Sequence, residues 1–246
     1  MNGLQVNKWR LEIVAAINTL LVVAALPALA DTYALDKPHT EVRFTWDHLG
    51  LSRQGGRFRD VSGNVEFDPA KPEASTVDVS IPLAGISTGV AKLDEHLVKS
   101  KEFFDVAAFP LITFKSRSVR MKSDRTGAIE GDLTINGIAK PVVLDFVWNF
   151  TGEHPLAYIN PAYAGQYASG FSATGQILRS DWGIKRTIPY VSDELRITIE
   201  TEMLRQGPPP DAASTSGRET LAGPPAPPGP SDPAQSVGGE KVDKAP

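Results

Sequence analysis

Residues 41–48, Glu41-Val42-Arg43-Phe44-Thr45-Trp46-Asp47-His48, alternate without a break. Val42, Phe44, Trp46 and His48 fall on one face, and Glu41, Arg43, Thr45 and Asp47 on the other. A period of two is the spacing of a β-strand, whose successive side chains point to opposite sides of the sheet. One apolar and one charged face describes a strand with one wet side, which is the antiparallel pattern. The same split recurs at Val77, Val79, Ile81 and Leu83, and at Ile112 and Phe114. It returns at Ile129, Leu133 and Ile135, at Leu144, Phe146, Trp148 and Phe150, and at Leu195, Ile197, Ile199 and Met203.

Turn signals separate these runs, among them Asp68-Pro69, Asp124-Arg125-Thr126-Gly127 and Asn136-Gly137. Asn-Gly tolerates positive φ at both positions, so 128–136 and 140–151 are predicted to form a tight hairpin. One stretch departs from the pattern. Val90, Leu93 and Leu97 recur at helical spacing between Lys92, Asp94, Glu95 and Lys99, and Phe103, Phe104 and Phe109 follow. This predicts a short covering helix and an aromatic connection. The fold class is therefore all-β, with about eight antiparallel strands that form either two packed sheets or one closed barrel. Gly63, Ser116, Ser118 and Gly131 share the parity of the large apolar residues. Such small residues either leave room inside a barrel or compensate for its aromatic neighbours.

The chain ends read differently. Lys8 and Arg10 precede an apolar run from Ile13 to Leu26, broken by Asn18 and Thr19, and Ala28-Leu29-Ala30 offers a small-x-small site. That run is short for a membrane span, so residues 1–30 are expected to be a cleaved export signal, with an uncleaved tether as the alternative. Residues 207–246 hold half of the chain's 20 prolines and almost no large apolar side chain. A segment of that composition is expected to be a disordered spacer. A single domain over 31–206 remains.

Composition narrows the function classes. The formal net charge is -4 and there is no Cys. The charge argues against a nucleic-acid footprint, and the lack of Cys excludes disulfides, thiolate catalysis and Cys-ligated zinc. His39, His48, His96 and His154 lie far apart with no His-x-x-x-His or Glu-x-x-His spacing, and no nucleophile elbow or phosphate loop is present. No metal, cofactor or catalytic residue is expected.

Several blocks resemble the YceI-like family of exported, lipocalin-like barrels that bind polyisoprenoid lipids. They are Tyr33-Ala34-Leu35-Asp36 with His39 to Phe44, Asp47 to Ser52, Gly56-Arg57-Phe58 and Gly63 to Pro69. Leu93 to Leu97, Ser100 to Pro110 and Ile112 to Ser116 form the most specific stretch. Gly131 to Gly137 with Lys140-Pro141-Val142, and Arg179 to Ile184, complete the match over almost all of 32–202. The resemblance implies an eight-stranded antiparallel barrel with a helical cover, periplasmic, whose apolar tunnel takes a quinone tail or a polyprenyl phosphate. Two segments depart from the family pattern: Gly152 to Gly170, longer and richer in Tyr, and the Pro-rich tail.

A polyprenyl chain offers little but apolar area, so the expected ligand contacts are the large inward residues. These are Phe44, Trp46, Phe58, Phe67, Phe114, Phe146 and Trp148, with Phe103 and Phe104 from the cover. His48, His96, Arg57 and Arg179 are candidates for a polar head group, the arginines because a guanidinium fork suits phosphate oxygens. Transient membrane contact is compatible with such cargo. Two further readings stand beside this one: a protein-interaction module acting through the Tyr-rich loop or the tail, and a metal-dependent enzyme.

Overall fold

The computed structural model describes residues 30–207. The export signal and the Pro-rich tail expected at the two ends fall on residues outside this range. Ten strands and one α-helix, with six short 3-10 turns, make up the fold of the described residues. β1 (Asp31–Leu35), β2 (Glu41–His48), β3 (Ser52–Phe58), β4 (Ser62–Phe67) and β5 (Thr76–Pro82) come first. Helix α1 (Ala91–Lys99) separates them from β6 (Leu111–Met121), β7 (Thr126–Ile135), β8 (Ile138–Glu153), β9 (Tyr167–Leu178) and β10 (Glu194–Arg205).

All pairings are antiparallel, in the order β1-β4-β5-β6-β7-β8-β9-β10, and β1 pairs back onto β10. The sheet therefore closes into an eight-stranded barrel. Ten strands fill eight positions because two positions are broken. One edge of β10 pairs with β2 through Arg196 to Glu200 and then with β1 through Met203 to Arg205. β3 and β4 share the next position in the same way, pairing with β2 and β1 respectively. The β1–β10 seam spans only three residue pairs, and Arg205 donates to Asp31 across it at 2.8 Å. Closure removes the unpaired edges that an open sheet would expose.

The expected hairpin forms, with Asn136 and Gly137 at φ 50° and 73° between β7 and β8. Helix α1 buries Leu97 and packs Leu93 against the core, as their spacing predicted, with Val98 beside them, while Val90, expected on the same face, precedes the helix and is exposed. Asp94 accepts from both the amide and the hydroxyl of Thr88, which fixes the entry to the helix.

Two expectations about parity are corrected. Register shifts occur between Ser116 and Ser118 on β6 and between Trp148 and Phe150 on β8. A β-bulge adds one unpaired residue and reverses the alternation beyond it. Ser118 therefore opposes Glu130 on the outer face, and Phe150 opposes Gly170 rather than following Trp148 inward. The outer face elsewhere is charged, with pairs such as Arg117–Asp132 at 2.6 Å and Lys115–Asp78 at 3.6 Å. That is the reverse of a membrane-spanning barrel, whose outer band is apolar.

One outer carboxylate is buried. Glu41, with a side chain 10% exposed, accepts from Arg43, from Arg59 at 3.1 Å and meets Arg57 at 3.5 Å. Burial alone would raise its carboxyl, but the Arg43 hydrogen bond and the charges of Arg43, Arg59 and Arg57 outweigh it and hold it below the ordinary range. A depressed folded value means stability that is full above the unfolded value near 4.5 and fades as pH falls through the folded one. Glu41→Gln is expected to cost about 1–3 kcal/mol at pH 7 and much less at pH 3, compared by urea unfolding at the two values.

Candidate binding cavity

The barrel interior is hollow at mid-height and packed at its ends. On β8 the inward residues Val142 and Trp148, near the two ends, are buried, while Leu144 and Phe146 between them are only half-buried. On β10 the inward Leu195, Ile197, Ile199 and Thr201 are half-buried, and Met203 at the end is buried. Side chains that face inward yet keep accessible surface border a void. That void has a volume of about 270 Å³. Ligand pockets span roughly 300–1,000 Å³, so this one lies just below that range.

The aromatic rings leave this space because glycines let them lie against the wall. A Cβ on Gly127 would fall 2.5 Å from the Phe146 ring, one on Gly131 2.5 Å from the Phe114 ring, and one on Gly56 2.6 Å from the Phe44 ring. Each ring therefore rests over the backbone of a neighbouring strand instead of projecting across the lumen. Of the small residues singled out in the sequence, Gly131 does both things: it accommodates an aromatic ring, and by doing so it keeps the centre open.

The cavity extends along the barrel axis between these packed ends. Near α1 it is bordered by Phe104, Ile112 and Ile184, and at the opposite end by Phe67, Pro72, Met121 and Phe171. The α1 end is plugged by Leu83, Ile86, Leu97 and Trp182, whose indole N–H donates to the Leu133 carbonyl at 3.1 Å. At the far end Trp148 meets Phe67 edge-on, with ring centroids 5.1 Å apart. Polar residues reach the lining at Thr40, Ser75, Thr201 and Arg179. Thr40 and Thr201 share a hydrogen bond of 2.9 Å. The buried Ser75 hydroxyl has no hydrogen-bond partner among the described residues.

Of the residues singled out in the sequence, Phe44, Phe58, Phe67, Phe104, Phe114, Phe146, Trp148 and Arg179 line this cavity. Trp46, His48, His96 and Phe103 do not. Trp46 stacks on Phe44 at 5.9 Å, outside the lining. His48 bridges to Val191 beyond the barrel wall. His96 is exposed on α1 and lies edge-on to Phe103 at 5.3 Å. Arg57 is engaged with Glu41.

Arg179 borders the cavity, but its donors point into its own segment. They reach the carbonyls of Ser192 at 2.9 Å, Ile184 at 3.0 Å, Arg186 at 2.9 Å and Val191 at 2.9 Å. Burial pulls its guanidinium below the ordinary value, opposed by the charge of Asp193. The histidines stay apart. His39 alone joins a group of potential ligands, meeting Asp36 at 2.7 Å and Glu202 at 3.9 Å in a largely exposed position.

Sequence reasoning missed Phe171 and Ala173 on β9, and Trp182 and Ile184 beyond it. The inward face of β9 reads Phe171, Ala173, Gly175, Ile177, too small for its alternation to register. Trp182-Gly183-Ile184 lies in the family-like stretch Arg179 to Ile184, and its two large apolar residues are the available signal.

Residues 33–203 match the YceI-like domain. The chain belongs to the YceI-like family. A UPF0312 protein of Pseudomonas syringae pv. tomato is 37% identical over 188 residues, covering 75% of this chain and 93% of its own length. A UPF0312 protein of Photorhabdus laumondii is 34% identical over 188 residues, with 76% and 93% covered. Among solved structures, the Campylobacter jejuni YCEI protein overlays this YceI-like barrel with a TM-score of 0.57 at 31% identity, covering 65% of this chain and 90% of that one.

Proposed function

We propose that this YceI-like protein is a periplasmic carrier that holds an isoprenoid lipid, a quinone or a polyprenyl phosphate, inside its barrel. The observation that carries the reading is the continuous apolar cavity between two packed ends. An elongated apolar void suits a long hydrocarbon chain, and burial contributes roughly 25 cal/mol per Å² of apolar area before association costs. The isoprenoid class is what the family resemblance implies. Ser75 supplies a polar group near the end away from α1, where a head group would need one. Export is supported by the apolar run Ile13 to Leu26 and the Ala28-Leu29-Ala30 site. The lining holds no paired acid and base set for chemistry, so binding rather than catalysis is proposed.

Protein purified without added lipid is expected to release an isoprenoid on solvent extraction, close to one molecule per barrel by mass spectrometry. Preparations that are repeatedly lipid-free, and that take up neither added quinone nor polyprenyl phosphate, would overturn the reading.

A further inference from the structure

The barrel end away from α1 carries a projecting loop between β8 and β9, residues 154–166. It is the segment that departs from the family pattern. The loop is internally braced. His154 stacks on Tyr163 with centroids 4.2 Å apart, and its Nδ1 accepts from the Leu156 amide at 3.2 Å. The Asn160 side chain accepts from the Ala162 amide at 3.0 Å, and the Glu153 carboxylate accepts from the Gly165 amide at 3.2 Å. This brace presents apolar side chains to solvent: Leu156 is 42% exposed, Ile159 79% and Tyr158 88%. Residues 155–165 carry no charged side chain.

A rigid, uncharged loop with an exposed Tyr, Ile and Leu has the composition that partitions into the boundary between lipid head groups and acyl chains. Its position agrees. β1 begins at Asp31, which pairs with Phe67 at the end of β4, and Leu204 pairs with Ala168 beside the loop. The loop therefore stands at the same barrel end as Ser75, whose hydroxyl, without a partner among the described residues, borders the cavity. The opposite end also exposes Leu49, Leu51, Val90, Phe109, Leu111 and Tyr190, but on connections that carry charge, among them Asp47, Arg53, Lys92, Asp105, Lys185 and Arg186.

We infer that the 154–166 loop docks the barrel onto a lipid bilayer, with Tyr158 and Ile159 inserted among the head groups. Charges elsewhere at this end are mixed, Lys71 and Glu73 on one connection and Lys122 and Asp124 on another, so neutral lipid suffices. This rests on the carrier reading only for its purpose, the route by which a membrane lipid reaches the cavity.

The test uses the chain from Asp31, since every strand of the closed barrel lies within 31–205. The chain has no Cys, so Ala162→Cys and Leu51→Cys each give one site for an environment-sensitive dye. With phosphatidylcholine vesicles, emission from position 162 is expected to shift to the blue and emission from position 51 to stay unchanged. Tyr158→Ser with Ile159→Ser should weaken vesicle partitioning about tenfold with an unaltered melting temperature. No shift at 162, a shift at 51 instead, or full binding by the double variant would overturn the inference. So would a protein partner that needs Tyr158 and Ile159 while vesicles are ignored. Lipid content measured alongside separates the two readings. Docking by a barrel that never carries lipid keeps the docking face and ends the carrier reading, and a loaded barrel that ignores vesicles does the reverse.

Discussion

Replacing Arg179 with methionine is expected to lower stability by about 3–5 kcal/mol, because several carbonyls in a partly buried loop lose their donor at once. The four acceptors lie between Ile184 and Val191 or at Ser192, on the segment that returns from Trp182 to β10. One planar guanidinium holds that segment closed over the plugged end. Methionine keeps the volume and removes every bond. For a domain of this size the loss corresponds to a fall in melting temperature of roughly 10 °C. Arg179→Lys decides between holding the loop and greeting a head group. An ammonium keeps the charge but cannot span four carbonyls. If the residue holds the loop, the lysine variant melts nearly as early as the methionine variant. If stability is untouched in both and lipid content falls in the methionine variant alone, Arg179 belongs to the head-group site instead.

Arg179 also illustrates what a sequence conceals. In sequence it stands out only as a candidate for a phosphate, whereas its partners are backbone carbonyls of residues five to thirteen positions away, set by a loop path that no side-chain pattern encodes. Alternation located most of the lining, since Phe44, Phe114 and Phe146 had to face inward once one face of each strand was hidden. It failed at Ser118 and Phe150 because a bulge is a local change in backbone pairing that leaves the residue types unaltered. It failed on β9 because Ala173 and Gly175 are inward but small. The helix was read correctly, since Leu93 and Leu97 must share a face at 3.6 residues per turn. Barrel and sandwich were indistinguishable from pattern, because closure depends on residues 33–35 meeting 203–205 across the whole chain.

The strongest effect on function is expected at the least conspicuous of these residues. Ala173 faces the lumen opposite Phe146 on one side and Ile199 on the other, and all three border the void. Ala173→Trp places an indole in a space of about 270 Å³ and takes much of it. Adding volume to a filled core costs about 1–3 kcal/mol through forced rotamers and backbone shifts. Here the ring enters a void, so the cost should fall at or below that range, and the barrel should remain folded with its far-ultraviolet spectrum intact. Lipid recovered by solvent extraction is expected to drop at least about tenfold, the consequence of losing more than 1.4 kcal/mol of binding. Ala173→Ser makes the matching control: it changes polarity at the same place, adds almost no volume and should keep most of the lipid. If the tryptophan variant still carries a full complement, the ligand does not occupy the barrel centre. The packed ends, and not the hollow between them, would then be the place to look for its binding site.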